Sequence, residues 1–314
     1  MLVYLLFCLG LVLLLVGGDL LVRGAVGLAE KFGISPLIIG LTIVALGTSA
    51  PELLISLQAA LAGSGELAVG NVVGSNIANV LLVLGVPAIL SRITAKDDEI
   101  HGTLFFLMGL TAIFMWQMAA SPLSRTDGFL LLLCLTAFLV QQFIHARRGK
   151  QPVDDYHDEL GTVPASNLVI SGLMIAGIIA LPLGANLTVD ASVEIARRWM
   201  LAEEVIGLTI VAIGTSLPEL ATGIMAARHN NASVAIGNVV GSNFFNIAAI
   251  MGATAFIAGD VSVGHHIIGF DMWVMLAATL VLIALPLFKL TIGRKGGLLL
   301  LATYLAYLVS TAAI

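Results

Sequence analysis

The sequence predicts an all-α integral membrane protein: ten transmembrane helices arranged as two inverted-topology repeats of five, with helices 2 and 7 broken. Three observations carry that prediction. Of 314 residues, 59% are hydrophobic and 11% charged, against about 25% charged in soluble domains, and the mean hydropathy is +1.06. Apolar stretches of spanning length recur along the whole chain. Whole segments of the first half return in the second at a constant offset. The net charge of −5 gives no support for nucleic-acid binding. Cys8 and Cys134 lie inside apolar runs, which argues against a disulfide framework or a zinc knuckle.

A spanning helix needs about 20 mostly apolar residues. Such stretches occur at roughly 2–22, 36–62, 68–90, 102–120, 127–146, 166–189, 202–227, 234–258, 267–288 and 296–313. Runs such as Leu130-Leu131-Leu132-Leu133 favour helices over the alternation of a lipid-facing barrel. The first stretch has neither a basic leader nor a small-residue cleavage site, so it reads as a retained helix. The second and seventh are long enough to tilt or break. The loops after odd-numbered spans hold eleven of the fourteen Lys and Arg. By the positive-inside rule both termini then face outward, in a multi-pass protein of the cell membrane. The loop at about 147–165 is cytoplasmic, of mixed charge and too short for a domain.

The repeat is read directly. Gly40 to Ala45 (GLTIVA) recurs as Gly207 to Ala212, Gly47 to Glu52 (GTSAPE) as Gly214 to Glu219 (GTSLPE), and Gly70 to Asn76 (GNVVGSN) as Gly237 to Asn243. The offset is 167 throughout, with no gap. The chain thus divides into a first repeat at 1–146, a linker at 147–165 and a second repeat at 166–314. With five spans in each half, the second copy enters the membrane upside down. That is the plan of secondary transporters, whose binding sites lie near the midplane where the halves meet.

Glu52 and Glu219 read as the acids placed well inside apolar spans, with Asp19 and Asp271 nearer span ends. An ionised carboxylate in hydrocarbon costs at least about 2.5–3.5 kcal/mol and needs a partner. No Lys or Arg lies inside a predicted span, so the compensating charge is a cation or a proton. Thr48 and Ser49 precede Glu52 by four and three residues, and Thr215 and Ser216 precede Glu219 identically, which puts them on one helical side. Pro51 and Pro218 deprive Gly47 and Gly214 of their helical donors, so both spans should break beside the carboxylates. Asn71, Ser75 and Asn79 share one helical face, repeated as Asn238, Ser242 and Asn246. Gly70 with Gly74, and Gly237 with Gly241, form small-xxx-small surfaces for close helix approach. An all-oxygen set of this kind suits a hard cation, Ca²⁺ or Na⁺. Two carboxylates are neutralised by one Ca²⁺ or two Na⁺ but not by both together, which is the minimal logic of an antiporter.

With GTSxPE and GNVVGSN present twice, the chain resembles the cation/calcium exchanger superfamily, specifically its sodium/calcium exchanger branch. The resemblance implies four central cation positions in a diamond, one for Ca²⁺ and the others for Na⁺. It places Glu52 and Glu219 at the centre with Thr48, Thr215, Asn79 and Asn246. Outer positions use Ser49, Ser216, Ser75, Ser242 and the backbone carbonyls of Ala45 and Ala212. It further implies sodium rather than proton coupling, since the proton-coupled branch has a different signature around its acids. Some relatives, including potassium-dependent ones, carry Asp where this chain has Asn246, so the amide argues against obligatory K⁺ co-transport. No large calcium-sensing domain fits in 147–165, which implies the compact prokaryotic form. Ca²⁺ and Na⁺ are then substrates and the bilayer the surroundings, with no cofactor and no obligatory protein partner.

Other polar residues read more plainly. Thr42 and Thr209 divide evenly between ligation and bonding to their own helix carbonyls. Asn71, Asn238, Asn76 and Asn243 read as helix-to-helix contacts rather than ion ligands. His265-His266 reads as an interfacial pair with no acidic partner at ligand spacing. His101, His145, His157 and His229 are loop or end residues, and the acids of 154–159 read as a solvated loop. Three alternatives to Na⁺/Ca²⁺ exchange are distinguishable: a proton/cation exchanger on the same carboxylates, a passive cation channel, and an intramembrane enzyme. The last lacks an intramembrane His, a nucleophile–base pair or a metal triad, so the chain reads as a non-enzyme.

Overall fold

A computed structural model describes residues 2–94, 100–148, 166–199 and 212–312. Helix occupies the described part of every predicted span. In chain order the helices are α1 (Leu2–Phe32), α2 (Pro36–Thr48), α3 (Ala50–Leu61), α4 (Gly65–Leu90), α5 (Ile100–Ala119), α6 (Arg125–Arg148) and α7 (Asn167–Arg198). They continue as α8 (Ala212–Gly214), α9 (Leu217–Arg228), α10 (Ala232–Ala258), α11 (Ile267–Leu287) and α12 (Arg294–Ala312). Seven of these are long and apolar enough to cross a membrane, and the bent pair α2–α3 makes an eighth. Among the described residues, 212–228 and 294–312 are not in that set. The linker, its acids and His157, and the segment carrying Thr209 lie outside the described residues.

Helix α1 overruns its predicted span of 2–22 and reaches Phe32, and α7 overruns 166–189 and reaches Arg198. Hydropathy falls at the first charges, but Leu, Arg, Ala, Glu and Lys are all good helix formers and carry the helix on. At 31 residues, α1 is about 46 Å long, well over a hydrocarbon core of roughly 30 Å. Asp19 therefore sits inside a helix rather than near its end. It remains part-exposed, paired with His229 at 2.7 Å and Arg23 at 3.6 Å.

The two long helices pack against each other through glycine. A Cβ on Gly177 would lie 2.8 Å from the carbonyl oxygen of Gly17, and one on Gly184 would lie 2.9 Å from that of Gly10. Their outer faces carry Leu2, Leu5, Val12, Leu168 and Ile175, all exposed, as lipid requires of a bundle surface. Helices α4 and α10 occupy the centre, with 78% and 94% of their most apolar windows buried, against 17% for α6 at the edge. Phe244 of α10 anchors α5 and α6, stacked on Phe138 at 4.0 Å and edge-on to Phe106 at 5.1 Å.

Short ladders tie the loops. β1 (Ile93–Thr94) pairs antiparallel with β2 (Thr291–Ile292), Ile93 opposite Ile292. A bridge between Leu123 and Val261, with reciprocal 2.9 Å hydrogen bonds, joins the loops before α6 and after α10. The small-residue surface holds for one copy. A Cβ on Gly237 would lie 2.6 Å from the Leu37 carbonyl oxygen, and one on Gly241 2.5 Å from that of Leu41, so α10 lies directly on the backbone of α2. Gly70 meets only Ile267, and Gly74 nothing within 4 Å, among the described residues. The segment that the repeat assigns to that face begins at Gly207, outside them.

Candidate cation site

Both proline-containing motifs interrupt their helices. Ser49, between α2 and α3, has φ −84° and ψ 8°, and the two helices meet at 47°. Ser216, just before α9, has φ −86° and ψ 4°. Pro51 and Pro218 stand in the first positions of α3 and α9, where a missing amide hydrogen costs nothing. Each break thereby starts a new helix and puts Glu52 or Glu219 in its first turn. The positive end of the peptide dipoles favours a carboxylate there. Both glutamates are 1% exposed, and Glu219 is near enough to Glu52 to repel it electrostatically. Among the described residues neither has a basic partner, whereas Asp19, Glu194 and Asp271 do.

The hydroxyls do not sit where simple helical spacing puts them. Ser49 Oγ donates to Glu219 Oε1 at 3.0 Å, the acid of the other half, because the break turns it away from Glu52. Thr48 Oγ1 bonds back to the Ala45 carbonyl at 3.2 Å and lies 3.3 Å from Asn238 Oδ1. The Ala45 carbonyl also accepts from the Ser49 amide at 3.0 Å, so it is already engaged. Ala212 opens α8 at the edge of the described residues. Thr42 bonds its own helix, Oγ1 to the Ile38 carbonyl at 2.7 Å.

Asn71 donates to Ser56 Oγ at 2.9 Å and to the Glu52 carbonyl at 3.5 Å, and Asn238 donates to the Glu219 carbonyl at 3.5 Å. These amides brace the broken helices, as read from the sequence. Asn79 and Asn246 open the π-helical segments Asn79–Val83 and Asn246–Met251, the same local unwinding at equivalent positions. Inserted π turns shift the side chains that follow and gather at functional sites. Nothing in the residue types signalled them. Ser75 and Ser242 are buried on the same two helices.

Among the described residues, seven of the sequence-derived set bury an oxygen that has no hydrogen-bond partner: Glu52 Oε2, Glu219 Oε2, Asn79 Oδ1, Asn246 Oδ1, Thr215 Oγ1, Ser216 Oγ and Ser242 Oγ. An unpaired buried polar atom costs about 1–3 kcal/mol, more when charged. Seven from one set, drawn from both halves, form a donor collection suited to a hard cation. Among the described residues no three His, Cys, Asp or Glu side chains converge.

The histidine pair needs a correction. His266 has an acidic partner: its Nδ1 lies 2.8 Å from Asp271 Oδ2, and Tyr307 donates to Asp271 Oδ1 at 3.0 Å. The segment Ile267–Asp271 is π-helical. Its wider turn brings residues five apart together, a spacing that α-helical reading does not test. Asp271, in the first turns of α11, is accordingly buried and hydrogen-bonded.

Comparison with known proteins agrees with this architecture. The profile of the family described as "Sodium/calcium exchanger protein" matches residues 2–144 and 169–312. The chain is 40% identical over 304 residues to CaxA of Alkalimonas amylolytica, covering 95% of each protein. It is 31% identical over 342 residues to the sodium/calcium exchanger MaX1 of Methanosarcina acetivorans, covering 98% of this chain and 97% of that one. Its fold is similar to a solved structure of the sodium-calcium exchanger NCX_Mj, with TM-score 0.84 and 31% identity over 99% of this chain and 98% of that one. A multi-pass membrane protein with this match is a cation/calcium transporter rather than an enzyme: the chain belongs to the sodium/calcium exchanger family.

Proposed function

We propose that the chain is a secondary antiporter that exchanges Na⁺ for Ca²⁺ by alternating access, at a midplane site built on Glu52 and Glu219. Ten spans form two inverted repeats, 1–146 and 166–314, with both termini outside. The seven partnerless buried oxygens carry the reading. Four of the seven form two repeat-related pairs at the 167-residue offset, Glu52 with Glu219 and Asn79 with Asn246. Two loop ladders, each joining one loop from either half, support the same duplication.

The two halves are not in the same state. Ser49 bonds Glu219, while Ser216 Oγ has no partner; Thr48 is bonded, while Thr215 Oγ1 is not. Identical motifs held differently are what an inverted-repeat carrier needs, since exchanging the two arrangements moves access from one side to the other. Thr48, Thr215, Asn79 and Asn246 complete the centre, and Ser49, Ser216, Ser75 and Ser242 serve outer positions with the Ala45 and Ala212 carbonyls. The Ala45 carbonyl then joins only in a state that frees it from Thr48. One Ca²⁺ or two Na⁺ balances the pair of carboxylates, and a third Na⁺ makes the cycle sensitive to voltage.

The test is Ca²⁺ uptake into proteoliposomes under an imposed Na⁺ gradient, with ΔpH and K⁺ varied separately. Uptake should follow Na⁺ and ignore K⁺. Uptake driven by ΔpH and indifferent to Na⁺ replaces this reading with proton/cation exchange, and flux needing no counter-ion replaces it with a channel. A pH titration checks the ligands. Protons and Ca²⁺ compete for the same carboxylate oxygens, so lowering pH should raise the Ca²⁺ concentration for half-maximal transport while leaving the maximal rate recoverable at high Ca²⁺. Inhibition that no Ca²⁺ concentration relieves counts against carboxylate ligation.

A further inference from the structure

Four buried asparagines cross between the central helices in two matching pairs. Asn79 Nδ2 of α4 donates to Asn243 Oδ1 of α10 at 3.0 Å, and Asn246 Nδ2 of α10 donates to Asn76 Oδ1 of α4 at 3.1 Å. All four are at most 2% exposed. In each pair the donor, Asn79 or Asn246, has its amide nitrogen bonded away and its Oδ1 buried without a partner among the described residues.

An amide is two-faced: its oxygen attracts a cation and its NH₂ repels one. A carboxamide beside a cation site is useful only when something holds it the right way round. The donor inventory fixes the direction for one pair. Asn76 Nδ2 lies 3.7 Å from Met275 Sδ, and a thioether can accept but never donate. The NH₂ of Asn76 therefore faces Met275, its Oδ1 faces Asn246, and Asn246 must answer with its own NH₂. Asn246 Oδ1 is left pointing away from the pair. The relay runs from α11 through α4 to α10, and the repeat places the equivalent bond between Asn79 and Asn243.

We propose that Asn76 and Asn243 are positioning residues for cation binding: each accepts the amide hydrogen of its partner across the repeat and thereby turns the partner's oxygen to the ion. The inference rests on the cation-site reading above. It assigns a task to the second asparagine of GNVVGSN, which the sequence marks only as repeated. It also explains why the two asparagines of each copy stand three residues apart: both then lie on the face turned to the opposite repeat, one to hold and one to be held.

The test is Ca²⁺ titration calorimetry on the purified full-length protein in detergent. Asn243→Leu removes the acceptor at similar size and should weaken Ca²⁺ binding about tenfold, the value of one buried hydrogen bond of about 1.4 kcal/mol. Asn243→Asp keeps an acceptor oxygen and should retain binding. In an Asn79→Asp background no NH₂ is left to orient, because either carboxylate oxygen can face the ion, and Asn243→Leu should then cost less than about threefold. Equal losses in both backgrounds would show a merely structural contact and overturn the proposal, as would an unchanged affinity in Asn243→Leu alone. Asn76→Leu with Asn246→Asp repeats the comparison in the other pair, should Asn243→Leu fail to give a monodisperse protein. Glu52→Gln separates the two levels. If it leaves Ca²⁺ affinity intact, the cation site itself is wrong; if it abolishes binding while Asn243→Leu and Asn76→Leu do not weaken it, only the positioning role falls.

Discussion

Replacing Glu52 or Glu219 by glutamine is expected to abolish Na⁺-dependent Ca²⁺ transport while the protein still inserts and folds. The substitution preserves shape and removes one of two buried charges. A hydrogen bond to a charged group is worth about 1.5–3 kcal/mol, and direct ligation of an ion in a dry site exceeds that, so the loss should be at least about 100-fold. Folding should not suffer. Each carboxylate buries one oxygen with no partner, and Glu52 and Glu219 repel each other, so removing a charge relieves a cost in the ion-free protein. Thermal unfolding without Ca²⁺ should therefore shift little or upward. The rise in melting temperature that Ca²⁺ gives the parent protein should disappear. Transport within threefold of the parent in either variant would remove the glutamates from the site.

Valine at Gly241 is expected to damage folding and transport together. Its Cβ would stand 2.5 Å from the Leu41 carbonyl oxygen and 2.7 Å from the Ala45 Cβ, both in α2. The side chain cannot be accommodated by a rotamer change, because it is backbone that lies in the way. Helix α2 must move, and it carries Thr48 and leads into the Ser49 break. Overpacking in a tight core costs about 1–3 kcal/mol, and a contact with backbone belongs at or above the top of that range. Detergent-solubilised Gly241→Val should melt well below the parent and take up little Ca²⁺. Gly172→Ala is the control: nothing lies within 4 Å of that position among the described residues, and the change should stay within about 1 kcal/mol. A parent-like melt for Gly241→Val would show that α10 and α2 are not in backbone contact.

Much of the local geometry of the candidate site is legible in the sequence. Proline two residues into an otherwise helical motif, beside an acid in an apolar span, specified a break and an expensive charge at Glu52 and Glu219, and both breaks are there. Glycine spacing foretold the approach of α10 to α2. Other readings failed where they relied on ideal α-helical periodicity. Helical spacing puts Ser49 on the side of Glu52, but it bonds Glu219 instead, because the backbone has left the helix at that residue. α-Helical spacing gives His266 no acidic partner, but it has Asp271, because a π turn brings positions five apart together. The predicted first span stops at residue 22, whereas its helix continues to Phe32 through Arg23, Glu30 and Lys31, charged residues that are good helix formers.

The sequence by itself determined what is local or repeated: an apolar all-helical chain, a duplication at a 167-residue offset, two prolines that interrupt helices, and an inventory of oxygens fit for a hard cation. Only the tertiary structure decided which groups meet. Ser49 reaches Glu219, Asn79 reaches Asn243 and Asn246 reaches Asn76, each bond crossing 164 to 170 residues of chain. Such pairings leave no mark in periodicity, because they depend on how the two halves dock and on which hydrogen bonds remain open after docking. Spacing can nominate oxygens, but which of them stay free to face an ion is settled when the rest have found partners.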